Sequence, residues 1–268
     1  MSLFHRIKKV LQEFSDPADE CGIANNFRII GGSYSSACEF PWMVLVHDIY
    51  HDNKCGGAIL DQTHVLTAAH CVARIKYTIK PEHLRVYTGS SVLDFENGLD
   101  AATIRYVTLV TPHEDFGVAK GYLANDLAIL TLSEPIQFDP CHGPICLANG
   151  TKSTQKASRC KVMGWGLSST NQNSNEKNLK SVDVAVVSDA TCRSIYKTNF
   201  DGTIFCAGSR GNGYCYGDAG GPLVCKESDG RYYAYGIAIG NMGDCSATAE
   251  FYTKVSSYFR WIKEKTAA

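Results

Sequence analysis

No run of about 18 apolar residues occurs in this chain of 268 residues, so no candidate membrane-spanning helix is written in it. The opening stretch MSLFHRIKKVLQEF also lacks the ~7–15-residue apolar core of a secretory signal. If the protein is secreted, its leader is expected to have been removed or replaced. Charge of one sign is missing too: Lys and Arg number 26, Asp and Glu 27. That balance leaves no basic footprint for nucleic acid and no polybasic patch for a membrane surface. CxxC pairs are absent. The single HxxxH pair, His47 and His51, has no nearby cysteine or second histidine pair to complete a site, so no metal is expected there. No internal repeat and no low-complexity segment is present.

What the chain has in quantity is cysteine, 12 in all. An even count at long, irregular spacings reads as six disulfides formed in an oxidising compartment, which implies a secreted, extracellular protein. One acceptor sequon, Asn149-Gly150-Thr151, agrees with that reading.

Residues 3 to 14 place Leu3, Ile7, Val10, Leu11 and Phe14 on one helical face, which reads as a short amphipathic helix docked on the body or a frayed tail, in preference to a membrane or partner helix. The polar, turn-rich SDPADECGIANNFR that follows reads as a linker. From Arg28-Ile29-Ile30-Gly31-Gly32 to about residue 255 the pattern is all-β. Runs such as WMVLVHDIY (42–50), CGGAIL (55–60), HLRVYTG (83–89), TIRYVTLV (103–110), LAILTL (127–132), CKVMGWG (160–166), SVDVAVV (181–187) and YYAYGIAIG (232–240) are rich in β-branched and aromatic residues, separated by Gly, Asn, Asp and Pro. Recurrent short strands suggest barrels or sandwiches. At the end, Val255, Tyr258, Phe259 and Ile262 fall at helical spacing and predict a C-terminal amphipathic helix.

Chemistry concentrates in three places: LTAAHC with His70, NDLAIL with Asp126, and GDAGGPLVC, residues 217 to 225. A lone histidine or aspartate says little. In this order, and following RIIGG, the motifs resemble the trypsin/chymotrypsin family of serine peptidases, and the resemblance runs over residues 29 to 268. It implies an all-β fold of two six-stranded antiparallel β-barrels with a C-terminal helix and an active site in the crevice between them. It divides the chain into a pro-segment or light chain, 1–28, and a peptidase domain, 29–268, with an N-terminal barrel at about 29–145 and a C-terminal barrel at about 146–268.

By the same resemblance His70 is the general base and Asp126 the residue that orients it and stabilises its cation. The N–H groups of Gly217 and Ala219 are the oxyanion donors. Cleavage after Arg28 by a trypsin-like protease would free Ile29, whose ammonium would pair with Asp218 and order the oxyanion turn. The implied disulfides are Cys21–Cys146, Cys38–Cys141, Cys55–Cys71, Cys160–Cys225, Cys192–Cys206 and Cys215–Cys245; the first would keep residues 1–28 attached after cleavage.

The sequence departs from the family at the reacting position. Ala219 stands where the nucleophilic serine belongs, so the base has no hydroxyl to activate, and loss of that group costs on the order of 10⁶-fold in kcat. The specificity pocket departs as well. Gly213 replaces the aspartate of trypsin-like members, Tyr214 is large for a pocket wall, and Glu250 falls at a wall glycine, where it either captures a basic side chain or, the favoured reading, fills the slot with Tyr214. Ile239-Gly240-Asn241 replaces Ser-Trp-Gly, which removes a hydrogen bond to the buried aspartate and a wall for the substrate chain. Asp94 and Glu96 lie where some members carry a calcium loop. Serine replaces the first expected acid, so the region reads as a solvated loop, and the expectation is no cofactor, with calcium the alternative.

Two readings remain open. One is a natural homologue that has lost catalysis and acts by binding a protein or peptide in an extracellular cascade. The other is an active secreted serine endopeptidase whose catalytic serine was changed to alanine to trap the zymogen.

Overall fold

The computed structural model describes residues 21–25, 35, 38–93, 103–119, 122–154, 157, 159–166, 177–197, 201–208, 217–240 and 249–267. Residues 3–14, Arg28, Ile29, Asp94, Glu96, Gly213, Tyr214, Asn241 and the Cys215–Cys245 pair lie outside them.

Apart from two small hairpins, Ala73–Arg74 with Tyr77–Thr78 and Gly117–Ala119 with Tyr122–Ala124, six strands of the N-terminal half are β1 (Met43–Asp48), β2 (Asn53–Ile59), β3 (His64–Thr67), β4 (Leu84–Thr88), β5 (Ile104–Pro112) and β6 (Ala128–Leu132). They form a closed barrel in the order β1-β2-β3-β6-β5-β4. In β4, Leu84 and Val86 point inward and are fully buried. Arg85 between them points outward and lies over the ring of its cross-strand partner Tyr106, 4.8 Å from the centroid. The cross-strand pair Val65 and Leu130 fills the same interior.

The second set is β7 (Cys160–Gly164), β8 (Lys180–Val184), β9 (Val186–Val187), β10 (Ile204–Ala207), β11 (Pro222–Lys226), β12 (Tyr232–Gly240) and β13 (Glu250–Lys254). Their order is β8-β7-β11-β12-β13-β10-β9. The two ends of this sheet, β8 and β9, are consecutive in the chain and separated only by Ala185. The Ala185 carbonyl accepts from the Gly208 N–H at 2.9 Å. One staggered run of chain therefore pairs with β7 by its first half and with β10 by its second, and it curls the sheet into a second barrel. Counting that run once, and leaving aside the short strand Cys146–Leu147 that pairs in parallel with β12, each barrel has six strands. Phe205 and Tyr252 stack in its core with ring centroids 5.5 Å apart.

Every strand run read from the sequence is present; β3, β10, β11 and β13 were not among them. The C-terminal helix spans Val255–Thr266 and buries Val255, Tyr258 and Ile262, the spacing expected of it. Among the described residues two further α-helices occur, α1 (Ala69–Val72), a single turn, and α2 (Asp189–Tyr196), together with a 3-10 turn at Pro81–His83; the C-terminal helix is α3. At α2, Ser188 Oγ accepts the Thr191 N–H at the N-cap. Glu114, in the loop after β5, holds α3 in place. It accepts from Trp261 Nε1 at 2.7 Å and pairs with Lys265 Nζ at 2.5 Å. The Lys265 bond is the chief reason its carboxyl is lowered to about 2.

Five of the expected disulfides are formed: Cys21–Cys146, Cys38–Cys141, Cys55–Cys71, Cys160–Cys225 and Cys192–Cys206. The first spans a sequence separation of 125 residues, and closing loops of that order contributes about 4–5 kcal/mol in the chain-entropy account. The segment beside it is also docked by its backbone. The Gly22 N–H donates to the Pro144 carbonyl and the Gly22 carbonyl accepts from the Tyr232 N–H, both at 2.8 Å. Asn25 Nδ2 donates to the Cys38 carbonyl at 2.7 Å. Residues 21–25 thus stay on the body by hydrogen bonds as well as by a covalent link.

Gly22 has φ +70, and a Cβ there would lie 2.1 Å from the Tyr232 carbonyl oxygen. Gly22→Ala adds the left-handed penalty of ~1–2 kcal/mol to that overlap. Exchange of the Tyr232 amide proton is expected to quicken by at least about tenfold, while the β1 amides stay as they were. Unchanged exchange at Tyr232 would show that the segment is not held this way.

Candidate active site

His70 lies on α1, directly after β3, and Cys71 beside it is bonded to Cys55 of β2, so the one-turn helix is fastened to the barrel wall. Asp126 lies just before β6 and is fully buried. Its carboxylate takes two hydrogen bonds from one residue: His70 Nδ1 at 2.7 Å to Oδ2 and the His70 backbone N–H at 2.8 Å to Oδ1. The ring is thereby fixed in both orientation and tautomer, with Nδ1 carrying its proton toward the carboxylate and Nε2 left for whatever enters the crevice.

The approach to Asp126 is built by residues that the motif reading passed over. Asn125 holds φ +53, a left-handed conformation that asparagine tolerates better than most side chains. Its Nδ2 donates to the Asp115 carbonyl at 2.8 Å, and its Oδ1 accepts from the Tyr258 hydroxyl of α3 at 2.7 Å. Thr253 Oγ1 of β13 donates to the Asp126 backbone carbonyl at 2.9 Å. The first barrel supplies the acid, and elements of the second barrel and α3 hold its backbone. The sequence signal was an asparagine preceding the aspartate, which is too common a pair to single out.

Ala219 lies in the turn before β11, half-buried against the main core. The turn is bonded to both barrels. The Ala219 carbonyl accepts from the Gly56 N–H of β2 at 2.7 Å, and the Gly220 N–H donates to the Ala238 carbonyl of β12, also at 2.7 Å. Gly220 has φ +83, and a Cβ there would lie 2.3 Å from Thr67 Oγ1 and 2.5 Å from the Gly56 carbonyl oxygen, so this position admits only glycine. Gly217 has φ +95. Among the described residues no acceptor takes the Gly217 or Ala219 N–H. Asp218 Oδ1 accepts the Gly166 N–H at 2.6 Å.

The structure therefore brings together His70, Asp126, Ala219 and the turn that contains Gly217 and Asp218. Cys71 Sγ bridges the two halves, 3.7 Å from His70 Nε2 and 3.8 Å from the Ala219 carbonyl oxygen. Cys55, His70 and Cys71 form the one cluster of metal-ligating atoms among the described residues. Both sulfurs are committed to a disulfide, so the cluster offers a metal only the imidazole.

The pocket positions are less open than the turn. Ile239 falls where the β12–β13 register shifts, between Ala238 and Gly240, so it is the extra residue of a bulge. Its side chain packs against two of the core clusters. No hydroxyl stands there to reach Asp126, whose carboxylate receives only the two His70 donors among the described residues. Glu250 is 1% exposed, and the Tyr252 hydroxyl donates to it at 3.3 Å. Burial, and then the Glu250 charge, push the Tyr196 phenol upward, so this carboxylate lies within electrostatic reach of Tyr196.

A sequence model described as Trypsin matches residues 29–262. Phenoloxidase-activating factor 3 of Holotrichia diomphalia is similar over 265 residues at 28% identity, an overlap of 91% of this chain and 74% of the relative. The chain belongs to the trypsin family. That agrees with the barrel pair and with the resemblance carried by its motifs.

Burial, the largest single influence on His70, opposes protonation; the Asp126 charge and hydrogen bond together outweigh it and raise the imidazole above its ordinary pKa. The folded ring binds its proton more tightly than the unfolded one does. The pairing therefore contributes stability that is fully present below about pH 6.5 and lost as pH rises through the folded value. NMR titration of the His70 ring is expected to give a midpoint above 6.5. In Asp126→Asn burial and the Arg74 charge remain, both opposing protonation, and the midpoint is expected to fall below that of the unaltered chain. A midpoint at or below 6.5 with Asp126 intact would contradict the assignment.

Proposed function

We propose that this chain is a secreted peptidase homologue, inactive as a peptidase in its present form, that acts by binding a protein or peptide in an extracellular cascade. The observation that carries this reading is the methyl group of Ala219. Around it stand an oriented base, His70 on Asp126, and a glycine-rich turn with two N–H groups that could receive an oxyanion. In the serine peptidase mechanism the base must take a proton from a hydroxyl on that turn. An alanine side chain has none to give and cannot form an acyl-enzyme.

A binding role has independent support. Beside the His70 helix, Ile75 and Tyr77 are each 60% exposed. Arg74 Nη1 donates to the His70 carbonyl at 2.9 Å and fastens this hairpin to the helix. An exposed apolar pair on the rim of a crevice suits contact with a polypeptide. The relative's name describes a factor that activates phenoloxidase, and that supports a place for this chain among protease partners. The disulfides support secretion.

In this reading residues 1–28 are a light chain and 29–268 the peptidase-like domain. A trypsin-like protease cleaves after Arg28, Ile29 pairs with Asp218, and Cys21–Cys146 retains the light chain. Gly213, Tyr214, Ile239, Gly240, Asn241 and Glu250 line a specificity pocket that no longer fits a family substrate, with Glu250 filling it.

The second reading, an active endopeptidase with its serine changed to alanine, draws support from the intact His70–Asp126 geometry. Ala219→Ser in chain cleaved after Arg28, assayed on a peptide library, separates the two. The homologue reading expects silence even with the hydroxyl restored, because the pocket has changed too. Turnover raised on the order of 10⁶-fold over the Ala219 form would instead establish the endopeptidase.

A further inference from the structure

A cleft of about 470 Å³ opens where the C-terminal helix α3 meets the Cys21–Cys146 disulfide. None of its lining residues belongs to the active-site group. Leu60, Phe138 and Phe259 are among its apolar walls, Arg231 and Lys263 are its cations, and Cys21 forms part of its edge. Its volume falls within the ~300–1,000 Å³ of ordinary ligand pockets. Neither cation makes an ion pair among the described residues. The one acid in the wall, Asp61, is committed to the His64 ring at 2.9 Å. The cleft therefore presents apolar surface beside two cations that no carboxylate of its own wall pairs with; Asp229, outside the wall, acts on Arg231 without forming an ion pair.

The chain itself supplies a complement. Cys21 is on the wall of the cleft, so residue 20 leaves from that point. The six residues before Cys21 are Ser15-Asp16-Pro17-Ala18-Asp19-Glu20, which carry three acids. Upstream of them lie Leu11 and Phe14, two of the apolar positions of the amphipathic stretch. Six residues reach at most ~20 Å, so both acids and apolar groups are within tether distance of the cleft. Tethering by the disulfide raises their effective concentration at the cleft into the millimolar range typical of short linkers.

We propose that this cleft is the seat of the chain's own N-terminal segment. Phe14 and Leu11 pack on Leu60, Phe138 and Phe259, and Asp16, Asp19 and Glu20 face Arg231 and Lys263. The segment is then a docked part of the body, fixed by the disulfide at one end and by the cleft upstream of it. This holds whether or not the crevice is catalytically competent.

The test uses the full chain with a benzophenone amino acid in place of Phe14, irradiated at low protein concentration and mapped by mass spectrometry. Adducts within the same chain at Phe138, Phe259 or Lys263 are expected. The double variant Arg231→Glu with Lys263→Glu, checked for unchanged near-UV circular dichroism, should lose them. In the same variant, limited trypsin cleavage after Lys8 and Lys9 should quicken about tenfold, equivalent to ~1.4 kcal/mol of lost docking. Adducts elsewhere on the chain, adducts to a second copy, or no adducts in the cleft would each overturn the proposal, as would cleavage rates that ignore the charge reversal.

Discussion

Residues 218 to 221 depend on a pair of backbone hydrogen bonds made in opposite directions, and the crevice depends on those residues. Gly56 of the first barrel donates to the Ala219 carbonyl, and Gly220 donates to Ala238 of the second. The Ala238 N–H returns a bond to Gly221 at 2.9 Å. A turn joined to both barrels cannot move relative to either without breaking bonds in a buried seam, where each unmade bond costs about 1–3 kcal/mol. The seam uses backbone atoms alone. It is indifferent to the side chain at 219, and for that reason the site can retain its backbone geometry with alanine there.

The histidine–aspartate pair is built by the same logic of shared support. Asp126 is fully enclosed, and a buried carboxylate is costly unless its hydrogen bonds are met. His70 supplies two, through its ring and its backbone. Thr253 and the Asn125–Tyr258 bond hold the chain on either side. These contacts reach into the second barrel and α3, so the pair also ties the two halves of the molecule together. Such a pair has a structural reason to persist without a nucleophile, so its presence does not decide between the two readings.

Much of this was legible in the residues. Val, Ile, Leu and aromatic runs marked the longer strands because their side chains fill a pleated, half-buried surface. The spacing of Val255, Tyr258 and Ile262 marked α3. Other parts left too little local trace. His64–Thr67 is a four-residue strand, too short to show a period. The closure of the second barrel runs through Ala185, a single residue that interrupts one run of β-branched side chains, and only the pairing partners reveal it. Helix α2 did carry a signal, Ser188 ahead of the helix, which the strand-dominated pattern around it obscured. The disulfide pairs came from resemblance, since counting cysteines cannot choose among connectivities. The bulge at Ile239 and the enclosure of Glu250 are tertiary facts with no counterpart in local sequence. Asn125 was missed because its importance lies in a left-handed backbone and in a tyrosine 133 residues away.

The central claim is that the backbone of the reacting turn is held rigidly by both barrels, independently of the residue at 219. Native-state hydrogen exchange at the Gly56, Gly220 and Ala238 amides tests it most directly. The account predicts exchange as slow as that of buried strand amides such as Val224, with the same rates in Ala219→Ser. Rapid local exchange at these three sites while Val224 stays protected, or rates that change with the side chain at 219, would contradict it.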